Sequence, residues 1–308
     1  MKVKKEHLIL AVLIVALSLY LHLRRQDRTQ YELPVLQEVP VSEIMRIEIA
    51  KPQGPVIALE RKDVGWVLLP EKYPADPGKV SVMLETLRNL TLSALISESK
   101  SYERYGLGEE DSISVKAWTG EGLKRDLEVG KEAPSFQHTF VKIGGDVRVF
   151  HARENLKIRF NQTMDDLRDK SVLALEPSEL EEIELNDGKT SLRLTRKQVP
   201  LEEDVAQPSW ENPEGPVDDS MVSELLSALS NLKCRAFIYD QEKYDFKDPV
   251  YTVTLKGLEE YFLALFAKDE KNQNDHPALS SQNESPFLLP EHQVERIMLP
   301  LEGIVKKP

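Results

Sequence analysis

The hydrophobic pattern of the chain predicts short strands around amphipathic helices. Apolar and polar residues alternate over 46–50 and 56–60, as in strands with one wet face, and a turn at 52–54 joins them. Gly65-Trp66 opens a third short strand, and apolar residues then recur at helical spacing over 77–90. The first part of the chain therefore predicts a hairpin, one more strand and a covering helix.

Both predicted helices begin after an aspartate. Asp76 stands immediately before Pro77, a combination typical of a helix N-cap followed by the first helical position. Asp218 occupies the corresponding place before the second helix, whose apolar face runs over 222–232. We therefore predict that both aspartates are structural caps.

An internal repeat relates the two halves of the chain. Residues 80–90 and 222–232 are identical at six of eleven positions. Upstream of each helix lies a tryptophan, Trp66 in the first half and Trp210 in the second. Self-similarity at a long, constant offset is typical of a structural unit that is used twice.

The predicted fold class is α+β, with an N-terminal transmembrane helix followed by two tandem similar units over 44–175 and 176–308. Each unit is predicted to be a twisted, mostly antiparallel sheet with one main amphipathic helix. In the second unit, a polar run at 269–285 predicts a mobile loop. The segment 294–300 resembles the first strand of the chain and predicts a closing strand.

The segment 8–23 carries no formal charge, and three basic residues stand on each side of it. A helix of this length covers about 24 Å, slightly less than a roughly 30 Å hydrocarbon core, and flanking Lys and Arg side chains can bridge the difference. We predict a transmembrane anchor at 8–23, with 1–7 in the cytoplasm and a linker at 24–43. A cleaved signal peptide and a buried core helix are the alternatives.

The net charge of the chain beyond the predicted anchor limits which partners and locations are expected. The chain has 52 acidic and 40 basic residues, and beyond residue 28 the numbers are 50 and 34. A domain this acidic argues against nucleic acid as a partner. The charges that flank the anchor are balanced and do not decide its orientation. The acidic domain favours a single-pass inner-membrane protein whose large domain is extracytoplasmic.

The order of four short motifs resembles a known family. The motifs are Gly65-Trp66, Pro74-Ala75-Asp76, Tyr105-Gly106-Leu107 and Asp166-Leu167-Arg168-Asp169-Lys170. They resemble the bacterial family labelled domain of unknown function 4340, and the resemblance covers about residues 44–260. It implies the fold but no established activity. It also implies an extracytoplasmic domain on a single-pass anchor, with ABC-type transporter components of the gliding-motility kind as integral membrane partners.

Few residues suggest chemistry. The single cysteine, Cys234, lies between two basic residues, but a buried hydrophobic role is favoured because the corresponding residue of the first half is Leu92. His138 and His151 fall on neighbouring predicted strands, where they could frame a metal site with Asp146, although two exposed strand residues are the favoured interpretation. We predict no catalytic residue, no metal and no cofactor.

Three side chains are candidates for contact with a ligand or partner. Trp66 and Trp210 could stack on a ligand, although packing over their own helices is favoured. Arg168 could clamp an acidic group, although a run of this kind more often caps and solvates a turn. These features together predict a non-enzymatic, membrane-anchored scaffold or accessory protein that assists an ABC-type transporter or envelope assembly. A periplasmic ligand- or glycan-binding module and an envelope glycan hydrolase are the alternatives.

Overall fold

The computed structural model of the protein describes residues 12–20, 31–134, 136–197, 209–268 and 275–305. The described chain forms two compact units. One contains the chain up to Lys72 together with Gly78–Gln162, and the other contains Tyr73–Pro77 together with the chain from Thr163. A short segment around Pro74 therefore belongs to the unit that comes later in the sequence.

The first unit is built on an antiparallel sheet. The strands before residue 153 are β1 (Ile44–Ala50), β2 (Ile57–Lys62), β3 (Gly65–Leu69), β4 (Tyr73–Pro74, in the second unit), β5 (Leu92–Ser97), β6 (Ile113–Thr119), β7 (Gly122–Glu132), β8 (Thr139–Ile143) and β9 (Val149–Ala152). Within the first unit their order across the sheet is β3-β2-β1-β6-β7-β8-β9-β5. Alternate residues of β1, Ile47 and Ile49, are fully buried, as the alternating pattern predicts.

One long helix, Pro77–Arg88, covers this unit. Its buried face consists of Val80, Met83, Leu84, Thr86 and Leu87. This is the helical spacing of apolar residues that the sequence shows. The shorter helices of the unit are the 3-10 turns Val41–Glu43 and Tyr102–Tyr105 and the α-helix Leu156–Phe160.

The second unit contains another antiparallel sheet. Its strands are β10 (Ser171–Ala174), β11 (Leu180–Asn186), β12 (Ser191–Arg196), β13 (Trp210–Glu211), β14 (Asn231–Lys233), β15 (Ala236–Phe237), β16 (Tyr251–Gly257), β17 (Glu260–Leu265), β18 (His276–Ser280) and β19 (Phe287–Leu289). The main sheet has the order β13-β12-β11-β16-β17-β18-β19-β15, and β10 pairs with β14 beside it.

Helices complete the core of the second unit. They are the α-helices Met164–Leu167, Asp219–Leu229, Glu291–Ile297 and Leu301–Ile304 and the 3-10 turns Pro177–Glu179 and Lys243–Asp245. The longest of them buries Val222, Leu225, Leu226 and Leu229 in one cluster with strand residues of the sheet. The predicted α+β class, with large antiparallel sheets and few helices, is confirmed.

The two sheets share details beyond their strand order. In each, a 3-10 turn leads directly into the first strand, β1 or β11. The register of that strand against its inner neighbour then shifts at the same place, between Ile44 and Arg46 in β1 and between Leu180 and Glu182 in β11. A bulge is a specific backbone feature that bends and twists a strand.

Two local predictions for the second unit are wrong. The segment predicted as a closing strand, 294–300, forms most of the helix Glu291–Ile297, because Val294 and Ile297 are buried at helical spacing. The predicted loop 269–285 contains β18, which lies in the sheet between β17 and β19 with Ala278 fully buried. Residues 269–274 of that segment lie outside the described part of the chain.

The predicted anchor is described only in part. Residues 12–20 form a helix, whereas the rest of 8–23 and the first half of the linker, up to residue 30, lie outside the described residues. Within the described residues, none of the helices has the length and apolarity required to cross a membrane.

Candidate functional site

Two of the sequence motifs meet in the second unit. The Pro74-Ala75-Asp76 segment forms an antiparallel bridge between Ala75 and Arg168. The backbone N–H of Asp169 donates to the Pro74 carbonyl oxygen over 2.8 Å, and the N–H of Asp76 donates to the Leu167 carbonyl oxygen over 2.8 Å. These contacts place the residues before the first long helix beside the 166–170 motif.

The local sequence explains how the 166–170 motif is shaped. Thr163 begins the helix Met164–Leu167 with a capping box, in which its hydroxyl accepts the N–H of Asp166 and the Asp166 carboxylate accepts the N–H of Thr163. The chain then becomes extended at Arg168. The cap therefore sets the direction in which the Arg168 side chain leaves the backbone.

Arg168 lies in a box of aromatic rings. Its side chain is 4% exposed, and its guanidinium carbon lies 3.4 Å from the ring centroid of Phe237, 3.7 Å from that of Tyr73 and 5.7 Å from that of Tyr239. The guanidinium donates to the hydroxyl of Ser285 over 2.9 Å and to that of Tyr239 over 3.4 Å. We call Tyr73, Phe237 and Tyr239 the Arg168 box.

The Arg168 box continues into a polar network at its rim. The Tyr239 hydroxyl donates to the Asp165 carboxylate over 3.2 Å, and Lys170 contacts the other carboxylate oxygen over 2.9 Å. Lys170 also donates to the Arg235 carbonyl oxygen over 2.7 Å. The sequence suggested that Arg168 clamps an acidic group, but its guanidinium faces aromatic rings and hydroxyls instead. A buried cation between ring faces stabilises packing by cation–π attraction.

The repeated tryptophans each stand opposite an arginine. Arg61 pairs with Trp66 across β2 and β3, with its guanidinium carbon 5.3 Å from the ring centroid. Arg196 pairs with Trp210 in the same way across β12 and β13. Trp210 is 5% exposed and belongs to the core cluster, so it offers no ring face for a ligand. Trp66 is half-buried, next to Arg61.

The two arginines perform the same task in each unit. Arg61 donates to two carbonyl oxygens of the 3-10 turn Val41–Glu43, over 2.7 and 3.2 Å. Arg196 donates to the carbonyl oxygens of Ser178 and Leu180 at the corresponding turn. The recurrence of tryptophan is therefore explained by a structural arginine–tryptophan pair. The two arginines are not among the residues that the sequence predicts to be functional, although each lies upstream of a repeated tryptophan.

The two predicted caps occupy helix starts. Asp218 is the N-cap of the helix Asp219–Leu229, and its carboxylate accepts the N–H of Ser220 over 3.2 Å. Asp76 directly precedes the helix Pro77–Arg88, and its backbone N–H is used in the contact with Leu167 described above. Both aspartates thus stand where the chain enters a helix.

Cys234 is a buried core residue. It belongs to the hydrophobic cluster of the second unit, and its side chain is free of disulfide bonding. Burial raises the pKa of its thiol to about 12, with smaller opposing effects from neighbouring charges such as Lys170. At neutral pH the sulfur is therefore a neutral thiol, which is a poor nucleophile.

Cys234 is expected to resist thiol reagents in the folded protein. A pKa three units above the ordinary value lowers the thiolate fraction about a thousandfold at pH 8, and burial adds to the protection. The reaction with a chromogenic disulfide should therefore be at least a thousandfold slower in buffer than in urea. A Cys234→Ala, Ser223→Cys variant, with its cysteine on the exposed face of the helix Asp219–Leu229, should react rapidly. Equal rates for both proteins would contradict this packing.

The two histidines lie side by side and are partly buried, so the favoured interpretation as two exposed strand residues is wrong. The ring centroids of His138 and His151 are 5.5 Å apart, and the ring of Phe140 lies against His151 with centroids 4.6 Å apart and a tilt of 48°. Burial, and to a smaller extent His138, lowers the pKa of His151. Asp146 is not shared with them, because it holds Arg148 over 2.7 Å. In the described part of the chain, no three His, Cys, Asp or Glu side chains converge as a metal cluster.

The first unit also has an acidic surface depression of about 810 Å³. Its lining consists of Tyr102, Glu103, Leu107, Gly108, Glu109, Glu110, Asp111, Ser112, Glu128 and Lys142. The ammonium group of Lys142 lies 4.4 Å from the ring centroid of Tyr102. The aromatic face in this depression is therefore already covered by a cation of the protein itself.

The described chain is a two-unit α+β protein. Its motif residues form turns, helix caps and arginine contacts that hold neighbouring segments together. The model of the family described as Domain of unknown function (DUF4340) matches residues 66–249, which is more than half of the chain. The protein belongs to this family. No curated protein and no solved structure matches the chain.

Proposed function

We propose that the protein is a non-enzymatic, membrane-anchored scaffold or accessory protein with an extracytoplasmic domain. In this proposal, it assists an integral membrane partner, such as an ABC-type transporter, or an envelope assembly. The anchor and the duplicated domain are supported by observations on the described residues, and the partner class by the family resemblance.

The helix at 12–20 carries the proposal of an anchor. All of its residues are exposed, including large apolar side chains such as Leu13, Val15 and Leu17. Apolar surface of this extent is unfavourable in water and marks contact with another apolar phase. In the centre of a bilayer, each Leu, Ile or Val contributes about −0.3 to −0.6 kcal/mol. We therefore propose that residues 8–23 lie in the membrane.

The domain beyond the anchor is proposed to consist of two tandem copies of one unit. The identical strand order, the matching bulges and the paired arginine–tryptophan contacts support this proposal. Its surplus of 16 acidic residues, counted beyond residue 28, suits a location away from anionic lipid and nucleic acid. An extracytoplasmic position follows if the N-terminus stays inside the cell.

A supporting role is favoured over catalysis because the motif residues serve the fold. Arg168 is buried among rings, Asp218 caps a helix, and Cys234 is an unreactive thiol. The partner class is drawn from the resemblance to membrane-associated family members. A protein of this kind acts by binding, so its partner should be found by cross-linking in the native membrane.

Charging the apolar helix is expected to release the protein from the membrane. The Leu13→Glu, Leu17→Glu variant places two carboxylates in the proposed span, and a charged residue there costs about 2.5–3.5 kcal/mol on the insertion scale. The full chain should stay in the pellet after alkaline carbonate extraction, and the variant should move to the supernatant. The matched control Leu258→Glu changes an exposed leucine of the domain and should stay in the pellet.

The same preparation tests the rest of the proposal. Added protease should digest the domain in spheroplasts but not in intact cells if the domain is extracytoplasmic. Cross-linking in the spheroplast membrane should link the wild-type chain to an integral membrane protein. Extraction of the unaltered chain by carbonate would refute the anchor, and a single uncross-linked species would refute the scaffold.

A further inference from the structure

Two imidazoles face each other at one end of the hairpin formed by β8 and β9. His151 belongs to β9, and His138 directly precedes β8. Phe140 pairs with His151 across the hairpin, so His138, two residues earlier, lies on the same face. The two imidazole rings are tilted by 32° and their centroids are 5.5 Å apart. The backbone pairing therefore fixes the distance between them.

One nitrogen of this pair has no partner. The Nε2 atom of His151 is shielded from solvent and forms no hydrogen bond. Buried polar atoms nearly always have a partner, and an exception points to a group that the protein chain does not supply. The ring of Phe140, whose centroid lies 4.6 Å from that of His151, offers no hydrogen-bonding group. His138 is the second ring in contact with His151 among the described residues, and it carries two nitrogen atoms.

The separation of the rings matches joint coordination of one ion. A zinc–nitrogen bond of about 2.0–2.1 Å and an angle of about 110–120° between two ligands place the imidazole centres about 5–5.5 Å apart. We propose that His138 and His151 together bind one divalent late-transition-metal ion, such as Zn²⁺, Ni²⁺ or Cu²⁺.

The surrounding groups favour this class of ion. Imidazole suits zinc, nickel and copper, whereas calcium and magnesium require oxygen ligands. The nearest acidic residue of the hairpin tip, Asp146, is held by Arg148 over 2.7 Å and is not free to join. The described residues supply two ligands from the protein, fewer than the three or four of a structural or catalytic zinc site. The affinity of the site should be in the micromolar range and should follow the order Cu²⁺ > Ni²⁺.

Calorimetric titration of the full chain tests the proposal. The protein is purified in detergent without a histidine tag, and Cu²⁺ and Ni²⁺ are added separately. The wild type should bind one equivalent of each ion at this site. His138→Gln and His151→Gln should each weaken that binding at least tenfold. His292→Gln, which removes an exposed histidine of the helix Glu291–Ile297, should leave it unchanged.

Electron paramagnetic resonance of the Cu²⁺ complex separates loss of a ligand from loss of the fold. The wild-type spectrum should show two coordinating nitrogens, and the His138→Gln spectrum should show one with the domain still folded by circular dichroism. His138 lies outside the strand, so its replacement leaves the sheet pairing intact. Unchanged affinity and unchanged nitrogen coupling in His138→Gln would overturn the proposal.

Discussion

Replacing Arg168 with alanine is expected to lower the free energy of unfolding of the second unit by about 3–5 kcal/mol. A desolvated cation–π contact contributes about 2 kcal/mol or more, and a hydrogen bond from a charged group contributes about 1.5–3 kcal/mol. Arg168 makes short contacts with the rings of Phe237 and Tyr73 and donates to Ser285. The alanine variant loses all of them and leaves a cavity between the rings.

The effect should be local to the unit that contains the Arg168 box. Hydrogen exchange in urea, followed in the helix Asp219–Leu229, reports the stability of that unit, and exchange in Pro77–Arg88 reports that of the other. Arg168→Lys should recover little of the lost free energy of unfolding. Unlike a planar guanidinium, an ammonium group cannot stack on two rings and also donate hydrogen bonds in the plane between them.

A surface arginine provides the matched control for the Arg168 variant. Arg193→Ala removes an exposed arginine of the same unit that pairs with Glu182 at the surface. Exposed ion pairs contribute at most about 1 kcal/mol, so this change should be small. If Arg168→Ala were no more destabilising than Arg193→Ala, the contacts of Arg168 with the box would not stabilise the second unit.

The second large effect is expected at Gly257, the last residue of β16. A Cβ atom there would lie 2.1 Å from the carbonyl oxygen of Glu179 and 3.1 Å from the Cα atom of Leu180. Both are backbone atoms, at the bulge where β11 begins, so no side chain can rotate away. Overpacking of this kind typically costs about 1–3 kcal/mol, and Gly257→Ala should reach the upper end.

Gly120→Ala is the matched control for this prediction. Gly120 lies in a turn before β7, and an added Cβ would meet no atom within 4 Å. Thermal unfolding followed by circular dichroism should show a clearly lower melting temperature for Gly257→Ala and almost no change for Gly120→Ala. The first unit has Thr119 in the pairing position that corresponds to Gly257, opposite Ile44. The close approach is therefore particular to the second unit, and equal melting temperatures for the two variants would refute it.

The strands and long helices were predictable because their signals are local. Alternation along β1 and helical spacing over Pro77–Arg88 each depend on neighbours within a few residues. The helix Glu291–Ile297 carries two conflicting signals, because its sequence resembles β1 whereas Val294 and Ile297 are spaced as in a helix. Its own periodicity already favoured a helix.

The strand β18 could not be recognised in the same way. Its sequence contains His276 and Pro277 next to a long polar run, which is typical of a loop. It becomes a strand because it is paired on both sides, by β17 and by β19. Partners that lie elsewhere in the chain supply this pairing, and a reading of local composition does not contain it.

At the candidate site, too, the local motifs are predictable from the sequence and their contacts with distant residues are not. The motifs 74–76 and 166–170 are visible in the sequence. The sequence does not show that they meet, or that Arg168 enters a box made by rings from two other segments of the chain. His138 and His151 could be placed on neighbouring strands because the hairpin between them is short. The orphaned nitrogen of His151 emerged only from packing.

The amino-acid sequence is sufficient to predict the α+β class, the apolar N-terminal segment, the family and the recurrence of a helix, a tryptophan and an aspartate. These features depend on composition and on periodic patterns that extend over only a few residues. Only the folded chain shows that Arg168 packs between aromatic rings and that Arg61 and Arg196 each hold a 3-10 turn. It also shows that Trp210 and Cys234 belong to the hydrophobic core. The environment of a side chain is set by residues distant in sequence, and burial by those residues determines whether a charge, a ring or a thiol binds, reacts or packs.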